Sequence, residues 1–258
     1  FEYTISPKTS VYAATSYNAY DYSEEPHYYH QDVFGTRISY SLFDVANWNN
    51  TVGFGWQAFT KIKLYGSFFY GISMVETNLE RMGERPDSDF FGGHISAVGD
   101  FSEKFKGKVQ VGYQTRQFDR LSNGLGGGSH GLPIFEAELD YDYTQKGTVS
   151  LTYLHGGSVS IHSPDSAVTR DLMTILINQK IGTTGKLSTT LGATYELDTY
   201  ETQGAREYQY LRMNAVVTYS FNQWLKSSLR YDFEIFDSNK GDIDYNVNRV
   251  MLGLSVGY

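Results

Sequence analysis

Cysteine is absent from the 258 residues, so the chain has neither a disulfide framework nor a thiolate metal site. Long apolar runs are missing too. No stretch approaches the roughly 18 to 20 consecutive apolar residues of a membrane helix, and the mean hydropathy is -0.39. An excess of basic residues is also lacking: the formal charge is -8, which argues against a general nucleic-acid binder, and no nucleic-acid partner is expected. No signal peptide precedes Phe1, as expected of a numbering that begins after processing or inside a longer chain. What the chain does have is aromatic and slim, with 22 Tyr, 16 Phe and 26 Gly. The length fits one large all-β domain or two smaller ones.

The final stretch, Val250 to Tyr258, is the most telling. Its even positions read Val250, Leu252, Leu254, Val256 and Tyr258, while Met251, Gly253, Ser255 and Gly257 take the odd ones. In a strand, that period of two puts large apolar groups on one face and small ones on the other. The stretch resembles the C-terminal signal strand of bacterial outer-membrane proteins, in which alternate hydrophobic positions lead to a terminal aromatic. Leu252, Leu254, Val256 and Tyr258 would then form a membrane-insertion signal. The alternative is an edge strand of a soluble sandwich.

The same alternation runs along the chain. One face carries Phe34, Thr36, Ile38, Tyr40 and Leu42; then Val52, Phe54, Trp56, Ile62, Leu64, Phe68, Tyr70, Ile72 and Met74; then Phe91, Ile95 and Ala97. Later segments repeat it, as in Leu187, Leu191, Ala193, Tyr195 and Leu197. Asp44 to Asn50 reads as a turn. Residues 51–75 keep one parity, as one long strand would, or as two strands joined by a tight turn near Phe59 to Lys61, since a two-residue turn preserves parity. Short turns alternate with longer polar loops throughout, the asymmetry of bacterial membrane barrels, which hide their hydrophobicity from window averages by alternation. The expected fold is all-β, a transmembrane antiparallel up-and-down β-barrel of about 12 strands (alternatively 14), with short periplasmic turns and longer extracellular loops. Residues 1–258 read as a single outer-membrane barrel domain.

The opposite parity carries charge. Lys104, Lys106, Lys108 and Arg116 share one face with Gln110 and Gln114, and Glu136, Glu138, Asp140 and Asp142 follow on the next strand. Arg212, Lys226, Arg230, Asp232, Glu234 and Arg249 keep to the same side, as do Glu196 and Asp198. An Arg or Lys facing lipid near the midplane costs about 2 to 4 kcal/mol. These groups are therefore expected to line an aqueous lumen, where the Lys and acidic ladders should pair. Such pairs would serve transport or would simply fill and stabilise the interior.

Catalytic and metal signals are weak. His27 and His30 lie in one loop, His130 in a Gly-rich one, His155 and His162 flank another, and His94 alone is expected on the inward face of a strand. No Ser, His and acid set has distinctive spacing, so no enzyme is expected. Asp237 to Asp244 superficially resembles a calcium loop but lacks the distal Glu and reads as a turn. No catalytic residue, metal or cofactor is expected.

The run Gly92-Gly93-His94-Ile95-Ser96-Ala97-Val98-Gly99-Asp100-Phe101-Ser102-Glu103-Lys104-Phe105-Lys106-Gly107-Lys108-Val109-Gln110-Val111-Gly112-Tyr113-Gln114-Thr115-Arg116 resembles a hairpin of the β-barrel porin type 2 family. There a strand ends in a Thr-Pro-Lys-like turn and the next reads Gly-x-Val-x-x-Gly-Tyr-x-x-Arg; here Ser102-Glu103-Lys104 takes the turn. The hairpin from Trp224 to Val250 is similar too, and the resemblance extends over roughly residues 60–258. It implies a bacterial outer-membrane barrel associated with exopolysaccharide export. The implied partners are outer-membrane lipids, the barrel-assembly machinery and periplasmic polysaccharide-export proteins. Inward aromatics suited to stacking on sugars would be Tyr12, Tyr20, Tyr65, Phe69 and Tyr210. Two functions follow: a pore or conduit, or a structural barrel plugged by its own charges or a partner and anchoring an envelope assembly. An outer-membrane enzyme is a third, weaker reading.

Overall fold

A computed structural model describes residues 1–20, 28–31, 37–40, 44–76, 87–120, 126–159, 167–200, 206–239 and 244–257. The alternating segments form β1 (Glu2–Ser6), β2 (Thr9–Tyr20), β3 (Tyr28–Gln31), β4 (Arg37–Tyr40), β5 (Asp44–Phe59), β6 (Ile62–Glu76), β7 (Ser88–Asp100) and β8 (Phe105–Arg120). They continue with β9 (Gly126–Thr144), β10 (Gly147–Val159), β11 (Ala167–Ile181), β12 (Leu187–Tyr200), β13 (Arg206–Ser220), β14 (Leu225–Ser238) and β15 (Tyr245–Val256). No helix occurs among the described residues. Thirteen strands join in one sheet, β1-β2-β5-β6-β7-β8-β9-β10-β11-β12-β13-β14-β15, an antiparallel up-and-down meander, while β3 and β4 pair with each other. At one rim consecutive wall strands are joined by two to five residues, and at the other their ends are separated by five to 23 residues of sequence. The edge strands β1 and β15 both run from the long-loop rim to the short-turn rim, and no ladder joins them among the described residues.

Of the two readings of residues 51–75, the hairpin holds: β5 and β6 turn at Thr60-Lys61, with Trp56 opposite Leu64 and a bulge between Gln57 and Phe59. Two other local expectations need correction. Asp44 to Asn50 is not a turn but the first half of β5, whose Asn47, Asn49 and Asn50 gain strand partners on β2. Of the segment expected at residues 34–42, the described part, Arg37–Tyr40, pairs with β3 rather than joining the wall, and Glu2–Ser6 supplies an extra wall strand.

Register then carries the alternation sideways. Val149, Ile177, Leu191, Ala215, Tyr231 and Val250 stand directly opposite one another across β10 to β15. Glu138, Thr152, Thr174, Thr194, Arg212 and Glu234 form the corresponding row on the other face. The apolar face is bare: Leu252 is 84% exposed, Phe68 75% and Ile95 65%, and no second sheet packs on Leu252, Leu254 or Val256 among the described residues. A water-soluble sheet would bury that face. Burial here is inverted, because Asp232, Ser73 and Ser88 are the largest fully buried side chains. An exterior fit for lipid and a polar interior account for both observations.

Aromatic side chains mark two belts on the apolar face. Trp56, Tyr141 and Tyr219 lie toward the short turns, and Trp48, Tyr70, Phe91 and Tyr113 toward the long loops. From Trp48 to Trp56 is about 26 Å along β5 at about 3.3 Å per residue, or roughly 20 Å along the normal once a strand tilts by ~40°. That spacing approximates the height of a barrel's apolar band.

Near the short-turn rim Gly99 and Gly107 face each other across β7 and β8, with φ of 147° and 154°. A Cβ on Gly107 would sit 2.0 Å from the Glu138 carbonyl oxygen on β9. Gly107→Ala is expected to lower stability by about 1 to 3 kcal/mol, read as an earlier urea midpoint of the protein folded in lipid vesicles.

Candidate functional site

The polar face is built by even-numbered residues on β7, β8 and β9 and by register-matched positions on the strands around them. Lys63, Lys106, Lys108 and Lys226 lie in the short-turn halves of their strands, Arg116, Arg170, Arg212 and Arg249 in the long-loop halves, and Arg230 just short of the middle of β14 on its short-turn side.

The expected Lys and acid ladders meet in part. Lys108 Nζ pairs with Glu136 at 2.9 Å. Asp140 and Asp142 instead take hydroxyl donors from the neighbour on their other side, Ser150 at 2.5 Å and Thr148 at 2.7 Å. The reason is geometric: a β9 acid has two flanking strands, and a short Ser or Thr directly alongside reaches it without ordering a long side chain. Lys106 is exposed opposite Asp140, and Glu138 stands opposite Lys108 and Thr152. Lys104 is not on the wall. It is exposed in the turn before β8, where its carbonyl accepts from the Asp142 N–H at 2.8 Å.

The arginines bind acids more completely. Arg212 pairs with Glu234, its register partner, at 2.9 Å. Both Asp232 oxygens accept from Arg230 Nε, at 2.9 and 2.8 Å. Arg170, which the sequence reading missed, holds Asp198 through Nε and Nη2, each at 2.8 Å, and reaches Glu196 at 2.9 Å. Extending the parity of Met173 back to the start of β11 would have found it. Lys226 and Arg249 are exposed on the same face, Arg249 in register with Asp232.

Arg116 is surrounded differently. Its Nη1 donates to Ser73 Oγ at 3.0 Å and Ser88 Oγ at 2.7 Å, and the guanidinium lies over the Phe90 ring at 4.5 Å. The Ser73 hydroxyl in turn donates to Asn47 Oδ1 at 2.6 Å.

Of the histidines, His94 sits on the polar face and bonds Ser67 at 2.6 Å. His130 lies opposite Arg116 on β9. His155 faces the apolar side, where Asp171 accepts from Tyr153 at 2.7 Å and contacts His155 Nδ1 at 2.8 Å. His27, His162, residues 240–243 and Tyr258 lie outside the described residues, as does the side chain of His30. Of the inward aromatics, Tyr12 and Tyr65 meet edge-on at 5.8 Å, Phe69 stacks obliquely on His94 at 5.9 Å, and Tyr210 stands beside Phe236. The side chain of Tyr20 is not among those described. No group of three metal-binding side chains occurs among the described residues.

A family model described as "Putative beta-barrel porin 2" matches residues 35–258. No curated protein matches the chain. Among solved structures, it is similar to the ferric-catecholate import receptor Fiu of E. coli K12 in its open form, at 11% identity and a TM-score of 0.44. The match covers 99% of this chain and 54% of that one, so this chain spans about half the length of that receptor. It is also similar to in-vitro folded OmpT, an outer membrane protein of Vibrio cholerae. The trimer form gives 10% identity and a TM-score of 0.39, covering 96% of this chain and 99% of that one. A second structure gives 11% and 0.39, covering 97% and 98%.

Proposed function

Since the chain belongs to the β-barrel porin 2 family, we propose that it lines a water-filled conduit across a bacterial outer membrane, with its short turns in the periplasm and its long loops outside. The observation that supports this most directly is the inverted burial: charged and hydroxyl side chains sit on the sheltered face and bare aliphatic ones on the other. In a membrane that arrangement needs an interior that is wet or filled by protein. The cargo we infer is exopolysaccharide, in line with the family resemblance and with Tyr12, Tyr65, Phe69 and Tyr210 as rings along the wall. Outer-membrane lipids, the assembly machinery that recognises the Leu252, Leu254 and Val256 strand, and periplasmic export proteins are the proposed partners. Residues 1–258 act as one barrel domain in this reading, without catalytic chemistry.

A second reading has its own observation. Asp232 is 1% exposed and Glu234 9%, and each is bound to an arginine, which suits a structural barrel filled by its own ion pairs. Planar-bilayer recording separates the two. A conduit gives discrete, ohmic conductance steps, whereas a filled barrel gives none. A Glu136→Gln, Asp140→Asn and Asp142→Asn triple variant is expected to lower the potassium-over-chloride permeability ratio at least twofold, since a charged wall concentrates counter-ions. An unchanged reversal potential would remove the acidic row from the permeation path.

A further inference from the structure

The arginines of the polar face pair with acids in inverse order to their need. Arg170, Arg212 and Arg230 keep 41%, 41% and 42% of their side-chain surface in contact with solvent, and each is bonded to a carboxylate. Arg116 keeps 8% of its residue surface, and among the described residues no carboxylate hydrogen-bonds to it. The acid whose field reaches it is Asp89, which strand alternation puts on the opposite face. Removing a guanidinium from water without a counter-charge costs several kcal/mol. Two neutral hydroxyls and one ring face return only part of that. Its Nε–H is buried with no hydrogen-bond partner among the described residues. Ser88 accepts from Arg116 through its oxygen and so keeps a hydroxyl proton to donate. The cluster thus holds a fixed cation, an unused guanidinium donor and a hydroxyl donor, gathered from β6, β7 and β8 near the long-loop rim.

We propose that the cluster of Arg116 with Ser73, Ser88 and the Phe90 ring is an oxyanion-binding site that takes the carboxylate of an acidic saccharide. The anion supplies the hydrogen-bonded carboxylate that none of the described residues gives, and Arg is suited to it because its planar fork meets a carboxylate through two parallel N–H donors. The saccharide part rests on the conduit reading; the anion part does not.

The test is titration calorimetry on folded protein in detergent, which requires no conductance. The probes are trigalacturonate, maltotriose and acetate. Trigalacturonate is expected to bind at least tenfold more tightly than maltotriose, and R116Q to abolish that preference. R116K keeps the charge but loses the fork, and is expected to weaken trigalacturonate binding at least threefold. It carries the test if R116Q fails to show the heat-modifiable gel shift of a folded barrel. Acetate binding that depends on Arg116 supports the anion site and assigns its ligand to a free small anion when trigalacturonate is silent. Anion binding that is unchanged in the variants, or absent from the wild type, overturns the proposal. A protein that conducts nothing in bilayers yet binds trigalacturonate through Arg116 sinks the conduit and leaves the site standing.

Discussion

Leu191→Arg destabilises the folded protein in lipid vesicles by about 2 to 4 kcal/mol, and Thr190→Arg, one residue away, by about 1 kcal/mol or less. The two positions share a strand and nearly the same depth but face opposite ways. Leu191 is 46% exposed on the bare face, in a row with Ile177 and Ala215. It lies four residues from the level of Tyr219, which stands opposite Leu187, and four from Tyr195. That is about 13 Å of strand from either ring at about 3.3 Å per residue, which places it near the middle of the apolar band. A guanidinium there has only acyl tails around it and must distort its way to an interface. Thr190 donates to Asn178 Oδ1 at 2.8 Å on the polar face. Its replacement loses one such bond, worth about 1 kcal/mol, and gains contact with a wet wall. Urea unfolding followed by the fluorescence of Trp48, Trp56 and Trp224 reads both. Equal costs would mean that the two faces do not differ in solvent, and the membrane assignment would fail with them.

Parity, which this pair tests, is also the part of the fold that the sequence displays openly. Alternation alone placed the apolar face of nearly every wall strand, because the side-chain period of a strand is two whatever its neighbours do. Partners are another matter. Across the β5–β6 turn the numbers of paired residues sum to 120, as Trp56 with Leu64 and Val52 with Phe68 do. Even residues thus meet even ones, and a hairpin leaves the same trace as one long strand. The alternation at residues 34–42 marked a strand correctly at Arg37–Tyr40, yet nothing in a period of two says that it joins β3 rather than the wall. The ion pairs were legible as inventory and not as assignments. Lys108 finds Glu136, but Asp140 and Asp142 turn to hydroxyls on β10, a choice that only register makes visible. Arg116 stood out least, as one cation among several, because Ser73 and Ser88 reach it from other strands and Asn47 bears on it only through Ser73.

Arg230→Met lowers stability by about 3 to 5 kcal/mol, more than Asp232→Asn, which costs about 1.5 to 3 kcal/mol. The asymmetry follows from which partner water can reach. Asp232 is 1% exposed and both of its carboxylate oxygens accept from Arg230 Nε. The arginine side chain keeps 42% of its surface. When the acid is neutralised in place, the arginine rehydrates and the amide still fills the space. When the arginine is removed, a sealed carboxylate loses its donor and must either stay charged and unpaired or take up a proton. Arg249, opposite Asp232 on β15 and exposed, is the cation placed to relieve it. An R230M/R249Q variant therefore falls below R230M alone. Adding D232N to R230M should recover more than 1 kcal/mol, because the stranded charge is gone and only polar surface remains to be satisfied. Strict additivity in this cycle would show that the pair is decorative. In that case the inverted burial of the wall reflects crowding alone, and the reading of a barrel braced by its own ion pairs loses its energetic basis.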